Sequence, residues 1–246
     1  MRARQRQQLN VDESASTRNL IKLAAQRLFS HRGVDGVSVR DIVEAAGQKN
    51  SGALHYYFGT KDELVAEIVA DGAREIDRRR IKLLDGLSET TAEISVKDLV
   101  SILVYPGVGL ASEGEPDTYA KFITMLQLNH RDIFIGALEG KYNQGYRRCL
   151  DLLRDRLSHL PKKVLSRRLV YLDLFINAVL SARESFLTKG VHHFWSDPQI
   201  LEGLIGDASS MLLAPLSLGE MVAEGASARP KIDNQKAPKR KSKSNS

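Results

Sequence analysis

The sequence predicts an all-α protein. Apolar residues recur at helical spacing along most of its 246 residues. No segment shows the period-two alternation of a half-buried strand, and prolines and glycines fall between the periodic stretches. In residues 17–30 the set Ile21, Ala24, Ala25 and Leu28 follows i, i+3, i+4, i+7, the stripe of an amphipathic helix, and Gly33 offers its stop. Ser38 and Asp41 have capping-box spacing, with Asp in place of the usual Glu. They open a short helix that turns Val39, Ile42, Val43 and Ala46 inward and ends at Gly47. A helix of about eight residues is not stable alone, so it must pack on its neighbours. Residues 48–58, QKNSGALHYYF, are polar at their start and aromatic at their end, and Gly59 follows. Thr60 and Glu63 repeat the capping spacing and open a long helix from Lys61 to about Leu87. Two short helices joined by a tight glycine turn read as a helix-turn-helix. In that motif the first helix braces the second, which projects its polar N-terminal face into a DNA major groove.

The rest of the chain continues the helical pattern in residues 96–104, 117–138, 139–158, 162–188 and 198–214. Breaks fall near Pro106, Pro116, Pro161 and Pro198, and a loop carrying His192, His193 and Trp195 precedes the last of them. Residues 1–13, with Arg2, Arg4 and Arg6, are expected as a flexible arm that could reach a minor groove. Residues 14–65 form the helix-turn-helix domain, 66–217 a helical body, and 218–246 a disordered basic tail.

Composition narrows the function. Apolar residues are 42% and charged residues 27%, the balance of a folded globular chain. The single cysteine, Cys149, excludes an intramolecular disulfide framework and a multi-cysteine zinc site. Two adjacent histidines cannot build a metal site by themselves, so none is expected. The net charge of +6 is uneven: residues 1–61 carry ten Lys/Arg against five Asp/Glu, and residues 229–246 seven against one. The segment between them is mildly acidic. A basic head suggests a polyanion partner, most commonly nucleic acid. The longest mostly apolar run, residues 99–111, contains Pro106 and falls short of the roughly 20 residues a bilayer requires. No membrane partner or secretory leader is expected, and the cytoplasm is the expected location. The chain has no phosphate loop, HExxH, GxSxG or dinucleotide fingerprint. It is therefore expected to have no catalytic residues and no cofactor, which leaves a small helical enzyme as the weaker alternative. A second alternative is a nucleic-acid-binding protein that uses both basic ends without regard to sequence.

SVRDIVEAAG followed by GALHYYFGTKDELV resembles the DNA-binding head of the TetR family of one-component transcriptional repressors, over roughly residues 17–64. The resemblance implies a C-terminal ligand-binding and dimerisation domain behind the head. Its partners would be a palindromic double-stranded DNA operator, a second copy of the chain and a small-molecule effector. Gln48, Lys49, Asn50 and Ser51 separate Gly47 from Gly52, one residue more than family members usually have. The candidate DNA-binding set is Ser38, Arg40, Lys49, Asn50, Ser51, Gly52, Ala53, His55, Tyr56, Thr60 and Lys61. Ser38 and Thr60 are helix caps whose hydroxyls can also meet phosphate. Asn and Lys suit base edges, and an Ala methyl suits a thymine methyl. His55 and Tyr56 match family positions that face DNA, and Lys61 resembles the family's phosphate-binding lysine. In the body, Tyr105, Tyr119, Phe122, Met125, His130, Phe134 and Phe175 are candidates to line an effector cavity. Residues 162–188 and 198–214 are candidates for the dimer interface.

Overall fold

A computed structural model describes residues 2–50, 52–88, 93–111, 114–190 and 193–220. Its elements, in order, are α1 (Arg2–Arg32), α2 (Val39–Ala45), α3 (Ala53–Phe58), α4 (Lys61–Ser88), α5 (Val96–Val104) and a 3-10 turn (Tyr105–Gly107). After these come α6 (Tyr119–Asn129), α7 (Arg131–Leu138), α8 (Gln144–Arg156), α9 (Lys162–Thr188), α10 (His193–Ser196) and α11 (Gln199–Leu213). No strand occurs among the described residues, so the all-α class holds. Met1–Leu213 forms one unit. Of the second unit, Ala214–Ser246, the described part ends in a turn where Ser217 and Glu220 exchange hydrogen bonds. The expected tail beyond residue 220, and Ser51, lie outside the described residues.

Two cores organise the first unit. The head core joins Ile21, Ala25 and Phe29 of α1, Ile42 and Val43 of α2, Leu54 and Phe58 of α3, and Leu64, Val65, Ile68 and Val69 of α4. The body core gathers Leu84 of α4 with residues of α5, α8, α9 and α11. Helices α2 and α3 have only seven and six residues, so tertiary burial holds them. Each large side chain buried there contributes roughly 1.5–3 kcal/mol. The head also takes Tyr119, Phe122, Ile123 and Leu126 from α6, while Ala120 of the same helix belongs to the body core. Helices α4 and α6 are thus common to both cores, and the expected boundary at residues 65/66 falls inside the continuous α4.

Local chemistry explains the ends of the short helices. Asp41 N–H donates to Ser38 Oγ (3.1 Å) and Ser38 N–H to Asp41 Oδ2 (2.8 Å), a reciprocal capping box. Glu63 and Thr60 exchange the same pair of bonds before α4, at 3.1 and 2.8 Å. At the end of α2, Gly47 N–H donates to Glu44 O and Gln48 N–H to Val43 O, both at 3.0 Å. This is a Schellman closure, and Gly47 sits in it at φ +68°, a conformation that favours glycine.

Three expectations about the elements are corrected. The backbone of residues 2–13, expected as a flexible arm, continues α1; the segment has no glycine or proline and is rich in good helix formers. The stretch 117–138 is broken at His130 (φ −138°, ψ 53°), which lets α6 lie on α1 and α9 while α7 turns onto α4. The loop before Pro198 contains the short helix α10. Gln199–Glu220 is long and apolar enough by composition to cross a bilayer. Within α11, however, Leu201, Leu204, Ile205, Ala208 and Leu212 are buried in the body core.

Candidate nucleic-acid interface

The helix-turn-helix is held from behind by ion pairs between α1 and α4. Arg18 pairs with Glu67 and donates to Tyr57 O (2.7 Å), and its guanidinium lies 4.6 Å from the centre of the Phe58 ring. Lys22 pairs with Asp71 (2.6 Å) and Glu67 (3.2 Å). Partial burial of these groups gives the contacts more weight than surface pairs have. Arg18 ties together α1, the end of α3 and α4.

With Leu54 and Phe58 turned into the core, α3 leaves His55 and Tyr56 to solvent, and Tyr56 is 82% exposed. The Tyr56 ring stands edge-on to Tyr57 at 4.9 Å. His55 Nδ1 lies 2.6 Å from Gly59 O, an acceptor, which leaves Nε2 as the outward nitrogen. In the turn, Asn50 Oδ1 accepts from Gly52 N–H at 2.8 Å and Asn50 O from Ala53 N–H at 3.0 Å. Asn50 is therefore a local cap whose amide group still has its two donors. Lys49 and Gly52 are exposed and Ala53 is half-buried against the head core. Ser38, Arg40 and Thr60 are exposed around the start of α2 and α4.

Lys61 has a different setting from the one expected. Its ammonium donates to Val34 O (3.0 Å) and Val37 O (3.1 Å), closing the loop between α1 and α2. Only one of its three donors remains for any phosphate.

The body contains a cavity of about 310 Å³ bounded by α4, the α5 end, α6, α7, α8 and α9. Of the aromatic set expected around a ligand, Tyr119 and Phe134 line it. The others sit elsewhere. Tyr105 is exposed and donates to Glu202 (2.5 Å). Phe122 is buried in the head core, stacked on Phe29. Met125 is half-buried near Gly33, and His130 Nε2 lies 3.1 Å from Asp35 Oδ2. Phe175 packs on the body core. Arg80, Tyr146, Asp173, Asn177 and Gln127, which the sequence reading did not single out, supply the polar lining. Burial pushes the Asp173 carboxyl above its ordinary range, opposed by hydrogen bonds from Tyr146 and Asn177 and by the Arg80 charge. Cys149 is buried, and burial pushes its thiol up to about 11, so it is no reactive thiolate near neutral pH. Among the described residues no group of three or more His, Cys, Asp or Glu could hold a metal ion.

A short brace helix, a glycine turn and a second short helix with an exposed polar flank define a helix-turn-helix DNA-binding domain. Residues 21–68 match the family model for bacterial regulatory proteins of the tetR family. Over 73 residues, 30% of the chain, it is 33% identical to the HTH-type transcriptional repressor KstR2 of Mycolicibacterium smegmatis (strain ATCC 700084 / mc(2)155), and the match spans 35% of that relative's length. Among solved structures, a protein of Shewanella sp. PV-4 described as a tetR family transcription regulator is similar at 14% identity and TM-score 0.49. That match covers 79% of this chain and 96% of the other. A protein of Mesorhizobium loti MAFF303099 described as a tetR-family transcriptional regulator is similar at 18% identity and TM-score 0.49, covering 82% and 95%.

Proposed function

We propose that the chain is a sequence-specific DNA-binding transcriptional regulator: a cytoplasmic, homodimeric repressor released from a palindromic operator by a small-molecule effector in the body cavity. The observation that carries this reading is the braced helix-turn-helix, whose exposed flank offers Arg40, Lys49, Asn50, His55 and Tyr56. In this reading Lys49 and the Asn50 amide reach base edges, while Arg40, Tyr56, Ser38 and Thr60 hold phosphates. Gly52 and Ala53 let the backbone approach the groove closely. Lys61 adds one N–H from within the head.

Dimerisation is supported by apolar residues left uncovered on α9 and α11. Val170, Tyr171 and Leu174 of α9 and Leu213 of α11 are each more than half exposed. A large exposed apolar patch is a common mark of an interface. A two-fold dimer suits half-sites one or more helical turns apart. Release is supported by the two helices shared between cavity and head. An effector that prefers the arrangement in which α4 and α6 are displaced lowers operator affinity by its differential binding energy.

The test is selection of bound duplexes from a random DNA library with the full chain. The expected product is a two-fold symmetric motif. Enrichment of no motif, with binding lost in competitor DNA, overturns the reading in favour of sequence-indifferent binding.

A further inference from the structure

The cavity in the body holds a buried arginine that makes no ion pair among the described residues, although Asp77 and Asp173 act on its charge from nearby. Arg80 of α4 is buried, and its hydrogen bonds are long ones to backbone carbonyls: Nε donates to Ile102 O at 3.3 Å and Nη2 to Leu103 O at 3.5 Å. No carboxylate pairs with it among the described residues, although a buried charge is ordinarily paired. The two carboxylates in its vicinity are engaged. Asp77 accepts from the backbone N–H groups of Gln144 (3.2 Å) and Gly145 (2.8 Å) at the start of α8. Asp173 accepts from the Tyr146 hydroxyl (3.5 Å), with Asn177 as a further hydrogen-bond partner. The guanidinium lines the cavity and lies 5.6 Å from the centre of the Tyr146 ring. A guanidinium has five N–H donors in a planar fork, so donors remain for the cavity.

The rest of the lining is mostly aliphatic, including Ile76, Leu103, Ile123, Leu172, Ile176 and Leu180. We propose that this cavity takes an apolar monocarboxylate whose carboxylate pairs with Arg80 and whose hydrocarbon body lies along the aliphatic wall. The ligand would replace the two long carbonyl bonds of Arg80 with a charge-assisted fork. Asp173 also lines the cavity and opposes an anion there; burial pushes its carboxyl above the ordinary range and pushes the Arg80 guanidinium below its own, so the carboxylate of a ligand would favour the charged guanidinium. The inference rests on the proposed function only in calling this molecule an effector, since its binding requires no DNA.

The test is calorimetric titration of the full chain, without DNA, with decanoate and 4-phenylbutyrate, each against its primary amide, and with decylammonium. The expected result is that at least one carboxylate binds about tenfold or more tightly than its amide. In Arg80→Met that preference disappears, and in Arg80→Lys a weakened preference survives. The comparison of acid with amide on the wild-type chain stands even if Arg80→Met fails to fold. Equal binding of acid and amide overturns the assignment. So does a preference for decylammonium, or no binding by either carboxylate up to about 1 mM. Failure here with a motif recovered in the DNA selection removes the ligand class alone. Binding here with no motif leaves the carboxylate site and removes the regulator.

Discussion

The ring of Tyr119 lies across Gly72, leaving no room on α4 for even a methyl group. The Tyr119 hydroxyl donates to Val69 O at 2.8 Å, so the first residue of α6 is pinned to the helix that runs through both cores. Tyr119 lines the cavity and belongs to the head core, so this contact is a physical link between effector and DNA in the proposed mechanism.

Gly72→Ala should destabilise the chain by about 1–3 kcal/mol through overpacking. Tyr119→Ala alone should also destabilise it, through a lost buried aromatic. The double variant should be more stable than the sum of the two predicts, because the clash is gone once the ring is gone. Chemical denaturation of the four proteins checks this. Additive losses would show that the two side positions do not meet.

Two lysines at the head separate folding from DNA contact. Lys49→Ala should leave the melting temperature unchanged, weaken operator binding and relax discrimination at one operator position. Lys61→Met should lower the melting temperature, because Val34 O and Val37 O lose their donor. It should weaken binding on every sequence. Thermal melts and binding titrations on the same preparations distinguish the two.

The difference between these lysines marks what was legible in the sequence. Caps are local: Ser38 with Asp41 and Thr60 with Glu63 lie three residues apart, so the boundaries of α2 and α4 follow from spacing. The role of Lys61 depends on carbonyls some 25 residues earlier, which no spacing reveals. The head was readable because its glycines, caps and apolar stripe all lie within one short stretch. The cavity was not. Arg80 sits in the run Arg78, Arg79, Arg80 and looks like a solvated face until α5 and α8 close over it. Phe122 and Tyr105 have the composition of pocket residues, but helix packing sends one into the head core and the other to Glu202. The break at His130 has no proline or glycine to announce it.

Glu184 makes stability depend on pH. It lies on α9, and its carboxylate accepts from Ala120 N–H (2.9 Å) and Lys121 N–H (2.7 Å), capping the first turn of α6. Burial pushes its pKa from 4.5 up to about 7, aided by the Asp117 charge and opposed by the two backbone bonds and Arg183. The folded state therefore binds the proton more tightly than the unfolded state. The stability this contributes is fully present below about pH 4.5 and is lost as pH rises through about 7, by up to about 3 kcal/mol. Glu184→Gln removes the titration. The stability of the wild type relative to this variant should fall between about pH 5 and about pH 7.5. A difference that stays constant or rises with pH would contradict the assigned shift.

Leu174→Arg places a charge in the exposed apolar patch of α9 and should leave the chain folded but monomeric by sedimentation. Its operator affinity should fall about tenfold or more, because two heads no longer bind as one. A dimer that persists would locate the interface elsewhere.

The central claim is that the exposed flank around α3 reads DNA and that an occupant of the cavity weakens that reading. Its most direct measurement is fluorescence anisotropy of the selected duplex with the full chain, at physiological salt and in excess unrelated DNA, with and without the tightest-binding cavity ligand. The account predicts one dimer per palindrome, binding that survives the competitor, and an affinity lowered by about 5- to 150-fold by the ligand. Binding that the competitor abolishes, or that a saturating ligand leaves unchanged, would contradict it.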